Sequence, residues 1–238
     1  MILILLRSCE SMNLCVPVIK KDAASFIRAV ESLNNTSADI IELRVDYLEP
    51  LTESAIDQIV SFKSKKPAIL TIRMKEEGGM QKIDEKFREN LFLQFHTRVK
   101  YVDIEFRALS TAKKIMKDTS SRVILSMHDF EKTPSKQVLD NYIQSAFDAG
   151  AYVAKVAVKC NSYDDSIVLL ELLEKWKNKN VCIVGMGEYG TLTRVLSPLF
   201  NPYLTFVSID ETSKSASGQV TLFQMLQFIE ILKKKEED

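Results

Sequence analysis

AYVAKVAVKC (residues 151–160) is a run of small and β-branched residues interrupted in its middle by Lys155. Near-continuous apolar character, without strict alternation, describes a strand buried on both faces, as in a parallel sheet flanked by helices. Seven similar runs occur, at 14–19 (LCVPVI), 40–47 (IIELRVDY), 68–73 (AILTIR), 100–106 (KYVDIEF), 122–128 (RVILSMH), 181–186 (VCIVGM) and 204–209 (LTFVSI). Between them lie stretches with the 3.6-residue period of helices. The clearest are 135–150 (SKQVLDNYIQSAFDAG), with Gly150 as its C-cap, 165–179 (DSIVLLELLEKWKNK) and 220–235 (VTLFQMLQFIEILKKK). Alternating strands and helices imply parallel pairing through right-handed crossovers. Eight such pairs in 238 residues match a (β/α)8 TIM barrel of the α/β class. A doubly wound sheet would carry a Gly-rich turn after its first strand, but KKDAAS (20–25) has no glycine. No Pro/Gly/Ser-rich linker divides the chain, so it reads as one barrel domain over 12–238. Residues 1–11 (MILILLRSCES) read as an N-terminal extension. Their apolar run is too short to span a bilayer, and they lack the basic start and small-residue cleavage site of a signal peptide.

Lys plus Arg equals Asp plus Glu at 32 each, a balance that argues against nucleic acid as a partner. The four cysteines (Cys9, Cys15, Cys160 and Cys182) show no C-x-x-C spacing, which is expected of reduced thiols in a cytoplasmic protein. Only two histidines are present, and not at ligand spacing, so no metal site is expected.

A barrel builds its chemistry at the C-terminal ends of its strands. Polar residues interrupting the apolar runs near those ends are therefore candidates. They are Glu42, Arg44 and Asp46, spaced to share one strand face; Arg73, followed by Lys75, Glu76 and Glu77; Asp103 and Glu105; His128 and Asp129; and Lys155. Buried charges must pair, so Glu42, Arg44 and Asp46 read equally as an interior ion-pair layer, and Asp103 and Glu105 read chiefly so. His96 lies in a helical stretch and reads as a surface or hydrogen-bonded histidine. His128 ends an apolar strand and titrates near neutrality, as a general acid/base should. Lys155 has two readings. Burial favours the neutral amine, a nucleophile able to form a Schiff base with a carbonyl; or it forms an interior salt bridge, to Glu42 or Glu105. After the seventh run, Gly185, Gly187 and Gly190 precede Arg194. They read either as turn glycines or as an anion cradle, with Arg194 gripping a carboxylate or phosphate.

These pieces together resemble type I 3-dehydroquinate dehydratase of the shikimate pathway. The resemblance rests on IIELRVD (40–46), TIRMKEEGG (71–79), SMHDF (126–130), AKVAV (154–158), GMGEYGTLTR (185–194) and KSASGQV (214–220), in that order along nearly the whole chain. It implies a hydro-lyase that needs no cofactor or metal, in which Lys155 forms an imine with the substrate ketone, His128 is the general acid/base and Glu77 orients it. Glu42 and Arg44 would hold substrate hydroxyls, Arg73 would line the pocket, and Met186 would pack against the ring. Arg194 and Gln219 would bind the substrate carboxylate, with Ser215 in a closing loop. It also implies a cytoplasmic homodimer acting on 3-dehydroquinate, without nucleic-acid or membrane partners. Ser217 stands where the family pattern has proline, which predicts a more mobile closing loop. A class I Schiff-base aldolase would share Lys155 but should favour a phosphate cradle; a non-catalytic small-molecule-binding barrel would need Lys155 to be structural.

Overall fold

The computed structural model describes residues 12–118, 120–213 and 216–233. The proposed extension (1–11), Cys9, Lys214, Ser215 and the charged tail after Lys233 lie outside them. Eight strands alternate with eight helices: β1 (Asn13–Val18), α1 (Ala23–Leu33), β2 (Ile40–Arg44), α2 (Glu53–Ser61), β3 (Ala68–Thr71), α3 (Glu85–Phe95), β4 (Tyr101–Glu105), α4 (Leu109–Ile115), β5 (Arg122–Asp129), α5 (Lys136–Asp148), β6 (Val153–Lys159), α6 (Tyr163–Trp176), β7 (Val181–Met186), α7 (Gly187–Leu196), β8 (Leu204–Phe206) and α8 (Leu222–Lys233). From β1 to β7 each strand pairs in parallel with the next, and β8 pairs with β1. Where β8 begins beside β7, the Tyr203 N–H donates to the Val181 carbonyl at 2.9 Å, so the sheet curls into a (β/α)8 barrel.

Local chemistry sets the helix starts. Asp22, Thr52, Asp84, Ser135 and Ser162 each accept a backbone N–H in the first turn of the helix they precede. Ser162 and Asp165 form a reciprocal capping box, and so α6 starts at Tyr163, two residues before its expected start. At the end of α5 the cap is Ala149; Gly150 lies one residue beyond, with φ +98°. β2 is shorter than its apolar run. It stops at Arg44, and Asp46 sits in the 3-10 turn that follows rather than on the strand face shared by Glu42 and Arg44.

Two apolar layers form. Ile41, Leu70, Val102, Leu125, Ala154 and Ile183 face outward and pack with the helices. Ile40, Ile69, Tyr101, Ile124, Val153, Cys182 and Leu204 fill the interior toward the strand N-termini. Two residues further along the same inward faces stand Glu42, Thr71, Asp103, Ser126 and Lys155, all buried. Two further again stand Arg44, Arg73, Glu105 and His128. Every strand from β2 to β6 thus has a dry lower interior and a polar residue above it. Cys15, Cys160 and Cys182 are buried free thiols.

Candidate active site

The polar upper interior opens into a cleft continuous with solvent. Glu42, Arg44, Arg73, Glu77, His128, Lys155, Met186, Arg194 and Gln219 all line it. Nine of the ten residues to which the resemblance gives a role therefore meet in one place; the tenth, Ser215, lies outside the described residues. His96 is buried elsewhere, with Nδ1 3.1 Å from Ser121 Oγ.

Lys155 Nζ lies 2.8 Å from Asp103 Oδ2 and 4.1 Å from the centroid of the Phe206 ring. The partner is Asp103, not Glu42 or Glu105. Asp103 Oδ1 also accepts Arg73 Nη2 at 2.8 Å and the Ser126 hydroxyl at 2.6 Å. Arg73 continues to Glu105 at 3.0 Å, and Glu105 to Arg88 at 2.7 Å. A chain of alternating charges thus runs from behind the barrel wall to the lysine. Burial opposes ionisation of Asp103, but Arg73 and Lys155 outweigh it and hold the carboxyl well below the usual range. In the sequence Asp103 reads as chiefly structural, since its strand carries no other signal; the structure makes it the partner of Lys155. The ladder pairs Ser126 with Lys155 but Asp103 with Ile124, two residues short of Ser126, so Asp103 reaches the lysine only through the tilt of the strands in the barrel.

Glu42 accepts the Thr71 hydroxyl at 2.8 Å. Arg44 is clamped bidentately by Asp46, at 2.9 and 2.8 Å. His128 Nδ1 lies 3.0 Å from Glu77 Oε2, and the His128 backbone N–H donates to the same oxygen at 3.2 Å. Arg107 Nε lies 3.1 Å from Glu77 Oε1. Donors that cannot accept thus engage both Glu77 oxygens. That pattern suits a carboxylate taking Nδ1–H and leaves Nε2 as the basic atom of the ring. Burial, with Arg73 and Lys155 nearby, drives the His128 pKa well below its ordinary value. Burial and then Glu105 push Glu77 up to about 7, against the pull of Arg73 and Arg107.

Arg194 is fully buried and donates to the carbonyls of Gly185 and Phe206, at 3.1 and 3.2 Å. Among the described residues no carboxylate pairs with it, and burial lowers it to about 10. A guanidinium held this way at a cleft wall suits an arriving anion. The glycines before it serve packing more than cradling. A Cβ on Gly190 would collide with Gly185 backbone, and the Gly187 N–H already donates to Ser217 O at 3.1 Å. Among the described residues no group of three or more His, Cys, Asp or Glu could hold a metal ion. No described helix is long and apolar enough to cross a membrane.

Fold and cluster define an α/β-barrel enzyme: a buried lysine, an imidazole backed by a carboxylate and an uncompensated arginine share one cleft at the strand C-termini. The family model described as type I 3-dehydroquinase matches residues 14–236, so the chain belongs to that family of hydro-lyases. It is 36% identical over 215 residues to a 3-dehydroquinate dehydratase of Methanocaldococcus jannaschii, covering 88% of this chain and 94% of the relative. A Coxiella burnetii 3-dehydroquinate dehydratase is 34% identical over 219 residues, covering 91% of each chain. Among solved structures, type I 3-dehydroquinate dehydratase from Clostridium difficile, with covalently modified comenic acid, superposes with a TM-score of 0.87. Its identity is 25%, over 94% of this chain and 93% of that one. The Aquifex aeolicus 3-dehydroquinate dehydratase gives 0.73 at 29% identity, over 94% and 98%.

Proposed function

We propose that this chain dehydrates 3-dehydroquinate to 3-dehydroshikimate, a step of the shikimate pathway, through an imine on Lys155. The observation that carries this reading is the placement of Lys155 in the same buried cleft as His128, whose Nδ1 is committed to Glu77.

Loss of a proton frees the Lys155 amine, which attacks the ring ketone and expels its oxygen as water, leaving an iminium. The iminium carbon is an electron sink, so the neighbouring C–H becomes acidic. His128 Nε2 removes that proton and an enamine forms. The enamine pushes out the β-hydroxyl on the same face, protonated by the same imidazole, to give a conjugated iminium. Water then cleaves the imine, releases the enone and restores the amine. The net change is loss of one water.

Asp103, 2.8 Å from the nitrogen that becomes cationic, is placed as its counter-ion. Arg194 and Gln219 take the carboxylate and so align the ring with Lys155 and His128. Glu42 and Arg44 take ring hydroxyls, Arg73 borders the pocket, Met186 packs against the ring, and Ser215 belongs to the closing segment. The C. difficile relative was solved with covalently modified comenic acid, which accords with covalent chemistry in this family. We place the enzyme in the cytoplasm as a homodimer without nucleic-acid or membrane partners; light scattering checks the dimer.

The test is trapping. With 3-dehydroquinate and borohydride, the chain should gain the mass of the reduced adduct on the peptide bearing Lys155, and Lys155→Ala should gain none. A folded chain that makes enone without a trappable adduct would sink the imine mechanism. One that makes neither would sink the dehydratase reading.

A further inference from the structure

Arg107 stands in the 3-10 turn Phe106–Ala108 directly after β4. Phe106 fixes that turn by packing edge-on against Tyr142, with ring centroids 5.3 Å apart, and Ala108 is buried. Between these anchors Arg107 projects outward, its side chain 53% exposed and its Nε on Glu77 Oε1. It does not line the cleft. The Glu77 carboxylate is therefore divided, with one oxygen given to Arg107 and the other to the Nδ1 and backbone N–H of His128.

We infer that Arg107 is a positioning residue that keeps Glu77 ionised and turned so that His128 presents Nε2, not Nδ1, as its base. This rests on the Lys155–His128 chemistry proposed above. The groups facing Glu77 are Arg73 after β3, Glu105 on β4, His128 on β5 and Tyr142 on α5, besides Arg107 itself. Those facing His128 are Arg44 from β2, Arg73, Asp103 from β4 and Lys155 from β6. Burial and Glu105 both favour a protonated Glu77. Arg73 opposes them from inside, but it is already engaged by Asp103 and Glu105. Arg107 is the cation on the outer side. A protonated Glu77 would donate to Nδ1, and the ring proton would then reside on Nε2. The nitrogen facing the substrate would cease to be a base.

Removing a neighbouring positive charge makes a carboxylate bind its proton more tightly. The acid limb of kcat/KM should therefore move to higher pH in Arg107→Met. A half-exposed ion pair supports a displacement of about half a pH unit. The rate on that limb should then fall about threefold relative to the plateau. Arg107→Lys, which keeps the charge, should return the limb toward its original position. Nitrogen-15 shifts of His128, followed against pH, should show the ring proton moving from Nδ1 to Nε2 at higher pH in Arg107→Met than in the unaltered chain. A uniform loss of rate with neither limb nor tautomer displaced would overturn the inference and leave Arg107 structural. Absence of enone from the unaltered chain would instead mark failure of the dehydratase reading, and the tautomer titration alone would then decide the role of Arg107.

Discussion

Asp103 holds two cations at once, Arg73 and Lys155, both buried. Removing its charge strands both, and breaking such an arrangement is expected to lower stability by about 3–5 kcal/mol. Asp103→Asn should therefore melt earlier than the unaltered chain and trap less adduct, because the iminium loses its counter-ion. The pairing can be separated from general damage with a double-mutant cycle. Adding Lys155→Met to Asp103→Asn removes one stranded cation, so the double variant should be more stable than the sum of the single changes by at least about 1 kcal/mol. Simple additivity in thermal melts would show that the two side chains do not interact. At this scale the residue types were readable in the chain and the partners were not. Lys155 announced itself as a charge inside an apolar run, and a buried ammonium demands an anion. Three carboxylates on two strands could have supplied it; strand pairing sets Glu105 level with Ser126 and Lys155, and only the tilted strands of the closed barrel bring Asp103 to the amine instead. Arg107 carried no signal at all, since one arginine in a turn after a strand resembles any solvated charge.

The β7–α7 unit shows what an element contributes to the site. Gly185 on β7 and Gly190 on α7 touch backbone to backbone, and a Cβ on either would meet main-chain atoms that cannot swing away. Their closeness brings α7 down onto the strand, and with it Arg194, whose Nε reaches the Gly185 carbonyl. Gly190→Ala should lift α7 and lower stability by about 1–3 kcal/mol, in the range of overpacked cores. It should also raise KM through the displaced Arg194, a residue it never touches; an unchanged KM with a lowered melting point would mean that Arg194 is held independently of this contact. The strand and helix sequence was legible here because burial on both faces writes long apolar runs. Boundaries were less so. The run 204–209 predicts a strand twice as long as Leu204–Phe206: buried Val207 still donates its N–H to the Cys15 carbonyl, but Ser208 then bridges to Thr221 and Ile209 turns out to solvent. The glycines were visible, but close approach and anion cradling ask for the same residue, and only coordinates distinguish them.

Across the whole molecule, the interior charges pull stability in opposite directions as pH changes. Asp103 and Glu105 sit below their ordinary values despite burial, because arginines and Lys155 outweigh it. Their stabilisation is complete above the unfolded carboxylate range near 4 and is lost progressively as pH falls below it. His128, driven down by burial and then by Arg73 and Lys155, loses stability as the unfolded imidazole protonates below about 6.5. Glu77 does the reverse. Its folded carboxyl, raised to about 7, takes up a proton before the unfolded one does, so the native state gains on acidification from about pH 7 toward the unfolded value. Read upward, an ionised Glu77 at pH 8 is a group the fold would prefer neutral, retained where the proposed chemistry needs a carboxylate behind His128. Strain of that kind is characteristic of sites selected for activity. Glu77→Gln keeps an oxygen for Nδ1–H and removes the charge. It should raise the melting temperature at pH 8 by roughly 3 °C, about 1 kcal/mol for a chain of this size, and give little or no gain at pH 5, where Glu77 is already protonated. The same variant should lose most of its dehydratase rate, since a neutral amide cannot stabilise the imidazolium that forms when His128 accepts a proton. Calorimetry at the two pH values, set beside enone formation, measures both effects. A melting point lowered equally at pH 5 and 8 would mean that the carboxylate belongs to the fold rather than to the reaction.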